Sequence, residues 1–414
     1  MRIIFYLFWI SLGIIFYSYF GYAIVLLILT GIKQLFSKRL PKPAEIKQDA
    51  QSFPNVTIVV AAYNEQSIIK QKIDNCLNLN YPPDKLSCLF ITDGSTDRTP
   101  EIIKRHPQIR LLHQPDRKGK SAALNRAMIH VNTPITVFCD ANTMLNKSAI
   151  KRLVSHYQDP TTGGVSGEKR ISLRKDSGVA ATGEGLYWKY ESFVKQLDAE
   201  LYTVTGAAGE LFSIRTDLWE ELPENIILDD FLISTRINLR GYRIAYEPAA
   251  YASELPSTSI HEEKKRKIRI SAGAFQAMVL LKPLFNIFRH PILFFQFLSH
   301  RILRWTLTPI CLPILFITNI VILLSSRNQF FLYFLLAQVI FYGMGVIGVY
   351  SKSSAIYSKI FRICYYLLFM NYSVYLGFFR FIRGRQSAIW EKAGREVVAI
   401  SPERNCFIIN DSNS

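Results

Sequence analysis

"VTIVVAAYNE", residues 56–65, is a run of β-branched and small apolar residues that ends abruptly on polar ones. An apolar run without polar alternation predicts a strand buried on both faces, as in parallel sheets. Directly after it, residues 66–79 carry Ile68, Ile69, Ile73, Cys76 and Leu77 at helical spacing. The pattern returns in "LSCLFITDGSTD" (86–97), where a second buried strand breaks at Asp93-Gly94 and Ser95 to Thr99 suit the start of a short helix. "IRLLHQ" (109–114) and "ITVFCDAN" (135–142) add two more strands, with a helix expected over 118–131 between them. Strands alternating with helices predict an α/β domain, a mostly parallel sheet with helices on both faces.

In such sheets ligands sit beyond the carboxyl ends of the strands. The polar ends Asn64-Glu65, Asp93 and Asp140-Ala141-Asn142 are therefore expected to face one crevice. Within "VFCDANTML" (137–145), Asp140 and Asn142 have two readings. They form a turn, because both residue types bond their own backbone, or they offer oxygen ligands to a hard divalent cation. Three strand ends bearing acid or amide groups favour the shared ligand site. "DRKGKSAALN" (116–125) places Lys118, Gly119 and Lys120 at the start of a helix, where phosphate oxygens are readily bound. The spaced glycines of a Walker A loop are missing, and a solvated basic loop remains an alternative.

The flanks are of another kind. Residues 3–32 contain no charge, longer than the roughly 20 residues needed to cross a bilayer, and there is no short apolar core followed by a small-residue cleavage site. Further uncharged runs at 305–326, 328–351 and 363–379 predict about three more crossings. The expected organisation is an anchor at 1–33, a soluble domain at 40–273, an amphipathic interfacial segment at 274–300, membrane helices within 301–385 and a polar tail at 386–414. Lys33, Lys38, Arg39, Lys42 and Lys47 follow the first span, and Lys264, Lys265, Arg266, Lys267 and Arg269 precede the later ones. By the positive-inside rule this puts the domain in the cytoplasm, and six scattered cysteines agree with a reducing compartment. The net charge of +17 concentrates beside the apolar runs, which points to anionic lipid and away from nucleic acid. Three crossings after the domain would leave Arg380, Arg383, Arg385, Lys392 and Arg395 outside, against the same rule.

The order of "AAYNE", "TDGSTD", "KGKSAALN", "DAN", "GAAGELFSIR" and "DDFLISTRINLRGYRIAYEP" over residues 53–275 resembles the membrane-bound family 2 glycosyltransferases of the GT-A fold, the group of cellulose, chitin and hyaluronan synthases. The resemblance implies a nucleotide-sugar donor, of which UDP-sugars are the usual kind, and a saccharide or lipid-linked acceptor. It implies that Tyr63, Glu65 and Asp93 contact the nucleoside and that Lys120 lies near the diphosphate. Asp140 and Asn142 stand at the family's Asp-x-Asp motif, which holds Mg²⁺ or Mn²⁺ against the donor. Gly206, Ala207 and Ala208 would line the acceptor pocket together with Asp229 and Arg269, and Asp230 would be the general base of an inverting transfer. Two departures are visible. The second Asp of the metal motif is Asn142, and where the synthases carry Gln-x-x-Arg-Trp this chain reads "RKIRI" (266–270), keeping only Arg269. The missing Gln and Trp put processive chain growth in doubt against a single transfer or a few, and both departures support a competing expectation of an inactive nucleotide-sugar-binding membrane subunit.

Overall fold

The computed structural model describes residues 1–36, 53–171, 179–254, 260–350 and 356–384. The basic residues Lys38, Arg39, Lys42 and Lys47, together with Arg385, Lys392, Arg395 and the tail, lie outside the described residues. Eight strands form one sheet: β1 Val56–Ala62, β2 Leu86–Asp93, β3 Ile109–Gln114, β4 Ile135–Asp140, β5 Met144–Leu145, β6 Thr162–Ile171, β7 Leu211–Arg215 and β8 Arg243–Glu254, in the order β3-β2-β1-β4-β7-β6-β8-β5. The first four are mutually parallel, β7 runs antiparallel between β4 and β6, β6 and β8 are parallel, and β5 is antiparallel to β8.

Helices α1 Arg2–Phe16 and α2 Tyr22–Phe36 precede the sheet and continue into each other through a π-helical turn at Tyr17–Gly21. Within and after the sheet follow α3 Ile69–Leu77, α4 Thr99–Lys104, α5 Lys120–Met128, α6 Ala149–Ser155, α7 Val179–Leu201, α8 Asp229–Leu239, α9 Ile260–Leu280, α10 Pro291–Phe297, α11 Leu303–Trp305, α12 Leu307–Ser326, α13 Gln329–Tyr350 and α14 Ile356–Ile382.

All seven residues of β1 are buried, as the unbroken apolar run requires. Val56, Ile58, Val60 and Ala62 pack on one face with Ile69, Ile73 and Cys76 of α3 and Ile150, Leu153 and Val154 of α6. Val59 and Ala61 point the other way, into a core with Ala123 and Leu124 of α5, Phe231 and Leu232 of α8, and Leu293 and Phe297 of α10. The two-residue side-chain period of a strand thus separates two cores from one sequence. Pairing of Ala61 with Asp140 and of Ala62 with Thr92 brings the polar ends of β1, β2 and β4 level with one another.

Among the described residues, three helices are long and apolar enough to cross a membrane: Arg2–Phe36, Leu307–Ser326 and Gln329–Val349. The crossing expected at 363–379 falls in α14 and is not among them. This helix buries Arg362 and Asn371, and it is fitted to neighbours through glycines: the Cβ positions at Gly345 and Gly348 of α13 meet Leu368 and the Phe361 backbone, and that at Gly377 meets Ser271 of α9. An uncharged stretch between Arg362 and Arg380 therefore marks protein contact here. Among the described residues, two helices after the sheet, α12 and α13, are long and apolar enough to cross, against the three expected.

The anchor is joined to the domain by buried charge. Asp198 of α7 accepts from the Tyr22 hydroxyl and from Gln296 Nε2 at 3.0 Å, and lies 2.6 Å from His300 Nδ1. Glu191, two turns earlier on the same face of α7, pairs with Arg301 at 2.8 Å and Arg304 at 3.1 Å. Burial alone would raise the Glu191 pKa, but His300, Arg301 and Arg304 outweigh it and hold the carboxyl well below its usual range. Arg304 also donates to the Ser18 carbonyl in the anchor, and Arg301 donates to the Thr205 carbonyl beside Gly206.

Candidate active site

The three residues after β4 close a turn. Thr143 Oγ1 donates to the Asp140 carbonyl at 3.0 Å, and the fully buried Lys72 donates to the Thr143 carbonyl at 2.7 Å. The turn and ligand readings of "DAN" thus describe the same local geometry, because closing the turn leaves the Asp140 carboxylate at the strand tip. Lys120, the first residue of α5, reaches across to it: its ammonium lies 3.1 Å from Asp140 Oδ1 and 3.2 Å from Asp229 Oδ2. Two carboxylates 89 positions apart are joined by one cation. Asp229 Oδ2 is buried without a hydrogen bond of good geometry, so the contact is one of charge.

Asp93 anchors the loop that presents Lys120. Its Oδ2 accepts from the backbone N–H of Lys118 at 2.9 Å and of Gly119 at 2.7 Å, while Arg126 lies 3.7 Å from Oδ1. At the end of β1, the Arg117 guanidinium stacks 3.7 Å from the centroid of Tyr63. The amide of Glu65 donates to Thr99 Oγ1 at 2.8 Å, which ties the β1 loop to the start of α4. The expected helix at 118–131 is thus α5, and it starts two residues later because Gly119, at φ +95°, cannot be part of it.

The loop "GAAGE" is held by α8. Ala207 N–H donates to Ser234 Oγ, which donates to the Asp230 carbonyl, and Ala208 N–H donates to Ser166 Oγ. Gly206 adopts φ +91° with Phe231 only 2.3 Å from where a Cβ would be. At Gly209 a Cβ would lie 2.9 Å from Asp230 Oδ2, so the absence of a side chain there sets where the Asp230 carboxylate can rest. Gly209→Ala should displace this mobile tip and leave the backbone in place. The expected result is a roughly 100-fold loss of turnover, the cost of about 1 Å of misplacement, with an unchanged melting temperature. Equal losses of both would mean the loop itself is disrupted.

Sequence reasoning missed a second layer. Asn142 Nδ2 donates to Glu254 Oε1 at 3.1 Å; Lys169, 2% exposed, pairs with Glu254 at 2.6 Å and with Glu210 at 2.5 Å. Glu210 is therefore the last residue of "GAAGE" turned inward and paired. The signal for Glu210 was present in the motif, whereas Lys169 and Glu254 meet only through the β6–β8 register. Trp188 of α7, also missed, has Lys169, Lys195 and Lys267 ammonium groups 5.3, 5.6 and 5.9 Å from its ring centroid. Lys267 belongs to "RKIRI", so an aromatic ring stands beside that stretch from a different helix. Arg269 lies on α9 one turn before Gly273, whose Cβ position is 2.8 Å from Ile227, two residues ahead of Asp229.

Carboxylates outnumber cations in this cleft: Asp140, Asp229, Asp230, Glu210 and Glu254 face Lys120 and Lys169. Burial and the Asp229 charge push the Asp230 pKa up to about 7 despite Lys120. Burial also raises the Asp140 pKa, with Lys120 opposing and Glu210 and Asp229 adding. Burial works against the charge on Lys120, and Asp140, Asp229 and Asp230 overcome it, so its pKa is raised. Among the described residues no group of three His, Cys, Asp or Glu side chains is arranged to hold a metal. The surplus of negative charge, however, fits one cation added at Asp140 with the Asn142 carbonyl oxygen beside it.

A parallel half-sheet with acidic strand tips continues through antiparallel β7 into a mixed extension. Residues 57–222 match the family model described as glycosyl transferase family 2, and the chain carries a family 2 glycosyltransferase domain. It is similar to a poly-beta-1,6-N-acetyl-D-glucosamine synthase of Staphylococcus aureus, 27% identical over 261 residues that cover 60% of each chain. It is also similar to a beta-monoglucosyldiacylglycerol synthase of Synechocystis sp., 28% identical over 240 residues, 52% of this chain and 48% of that one. The matched region thus spans 60% of the length of the first relative and about half of the second. In fold it resembles a mannosyltransferase of Pyrobaculum calidifontis solved with GDP-Man and Mn²⁺, at a TM-score of 0.65 and 22% identity, covering 92% of this chain and 99% of that one. The sheet has the GT-A architecture.

Proposed function

We propose that the protein is an inverting glycosyltransferase that moves a sugar from a nucleoside-diphosphate donor to a saccharide or lipid-linked acceptor at the cytoplasmic face of a membrane. The observation that carries this reading is the Lys120 bridge between Asp140 and Asp229, next to Asp230 with a pKa near 7. In it, Tyr63, Glu65 and Asp93 receive the nucleoside, Lys120 faces the diphosphate, and Asp140 with Asn142 would hold Mg²⁺ or Mn²⁺. When bound, that ion supplies charge stabilisation to the departing diphosphate. Asp230 accepts the proton of the acceptor hydroxyl, and its raised pKa makes it a stronger base than an exposed carboxylate. Gly206 to Ala208 with Asp229 and Arg269 form the acceptor side. Relatives named as synthases of a polysaccharide and of a glycolipid support both acceptor classes, while the donor is UDP-linked by the family resemblance and GDP-linked by analogy with the mannosyltransferase solved with GDP-Man.

The purified full chain, offered a panel of nucleotide-sugars with and without Mn²⁺ and scored by nucleotide release, tests the reading. Turnover on one donor supports it. The second reading, a binding subunit, draws on Asn142 and its bond to Glu254; donor binding with no release on any acceptor decides for it. Asn142→Asp separates charge from geometry. The new carboxylate, 3.1 Å from Glu254 if it keeps the amide's place, should tighten Mn²⁺ at least roughly tenfold by calorimetry and lower the melting temperature when no metal is added. Unchanged Mn²⁺ affinity would take position 142 out of the metal site.

A further inference from the structure

A groove of about 320 Å³ lies between the last turn of α8 and the segment after α9, with Arg236, Arg240, Arg289, His290 and Glu220 in its wall. Arg236 and Arg240 share one carboxylate, Glu220, at 3.6 and 3.9 Å. Arg289 is exposed and has no ion pair among the described residues. Three guanidinium groups therefore meet one counter-charge. Beside the groove the chain exposes Phe285, Ile287, Phe288 and Ile292, and Phe288 is 95% exposed. Aromatic tips of this kind are bare only where something apolar covers them. Three residues after Phe288 the chain enters α10, whose continuation leads into the apolar α12.

We propose that this groove binds the phosphate headgroup of an anionic glycerophospholipid, with the 285–292 tip resting among its acyl chains. The pairing of surplus arginine with an adjacent apolar tip selects this occupant. A soluble phosphate would have no use for Phe288, and a zwitterionic headgroup would gain little from the unpaired guanidinium charge. The consequence reaches the catalytic side, because α8 carries Asp229 and Asp230 in its first turn and Arg236 in its last. A headgroup gripping one end of this helix steadies the other.

The site is tested on the full chain without reference to transfer. Phe288→Trp reports contact with lipid through quenching by brominated acyl chains in nanodiscs, and native mass spectrometry counts retained phosphatidylglycerol against phosphatidylcholine. Strong quenching and selective retention of phosphatidylglycerol are expected. Arg289→Gln should weaken retention about fivefold, the worth of one basic residue at an anionic surface. Glu220→Gln, which frees two arginines, should strengthen it, an outcome that a folding defect cannot produce. Equal retention of both lipids, retention indifferent to both variants, or an unquenched tryptophan would overturn the proposal, as would full displacement of the lipid by inorganic phosphate.

Discussion

Asp230→Asn is expected to lower kcat by 100- to 10,000-fold, the range for removing a general base, with donor affinity nearly unchanged. The group is poised for this role by burial and by the Asp229 charge. In the intact enzyme kcat/KM should rise with pH through a midpoint near 7, as Asp230 ionises, and the residual activity of the variant should lack that limb. Stability gives an independent check. The folded pKa lies above the unfolded value, so the folded state binds the proton more tightly, and stability falls as pH rises through about 7. The variant, carrying no ionisable group there, should melt no lower than the parent at pH 8. A variant with full kcat would remove Asp230 from the chemistry, and one that melts much lower would make it structural.

The second large effect is expected at Lys120. Lys120→Met leaves Asp140 and Asp229, 27% and 8% exposed, facing each other without the cation between them. Breaking such a pair from one side costs about 3 kcal/mol, which corresponds to roughly 6–12 °C in melting temperature for a domain of this size. Transfer should be lost as well. Mn²⁺ should restore more of the melting temperature in the variant than in the parent, because the ion then meets two carboxylates not already neutralised. An unchanged melting temperature would mean that Asp140 and Asp229 do not rely on Lys120.

The parallel half of the fold was legible because its strands are pure apolar runs and its helices follow at once. The other half was not. β6 reads "TGGVSGEKRI", where glycines erase the strand signal, and β7 is five residues that also look like a motif tail. Of the site, Asp93, Lys120, Asp140, Asp229 and Asp230 could be named from strand ends and family resemblance, and the structure gathers Lys120, Asp140 and Asp229 within 3.2 Å contacts. Asp93 serves the turn before Lys120, a role its position at a strand end did not reveal. Lys169, Glu254 and Trp188 escaped notice because a lone lysine or tryptophan carries no local pattern, and their partners lie on distant strands and helices. The crossing expected at 363–379 falls on a helix that fits against α9 and α13 through Gly377, Gly345 and Gly348, contacts that local hydropathy does not reveal.

The Glu191–Asp198 cluster makes the catalytic domain inseparable from its anchor. A fragment running only from β1 to β8 would keep Glu191 and Asp198 but lose Tyr22, Gln296, His300, Arg301 and Arg304. It would expose two uncompensated acids on α7 and release Thr205, the residue before the acceptor loop. The first helices thus act as a strut rather than a tether, and a fragment that keeps α7 compensated needs α2 and residues 296–304.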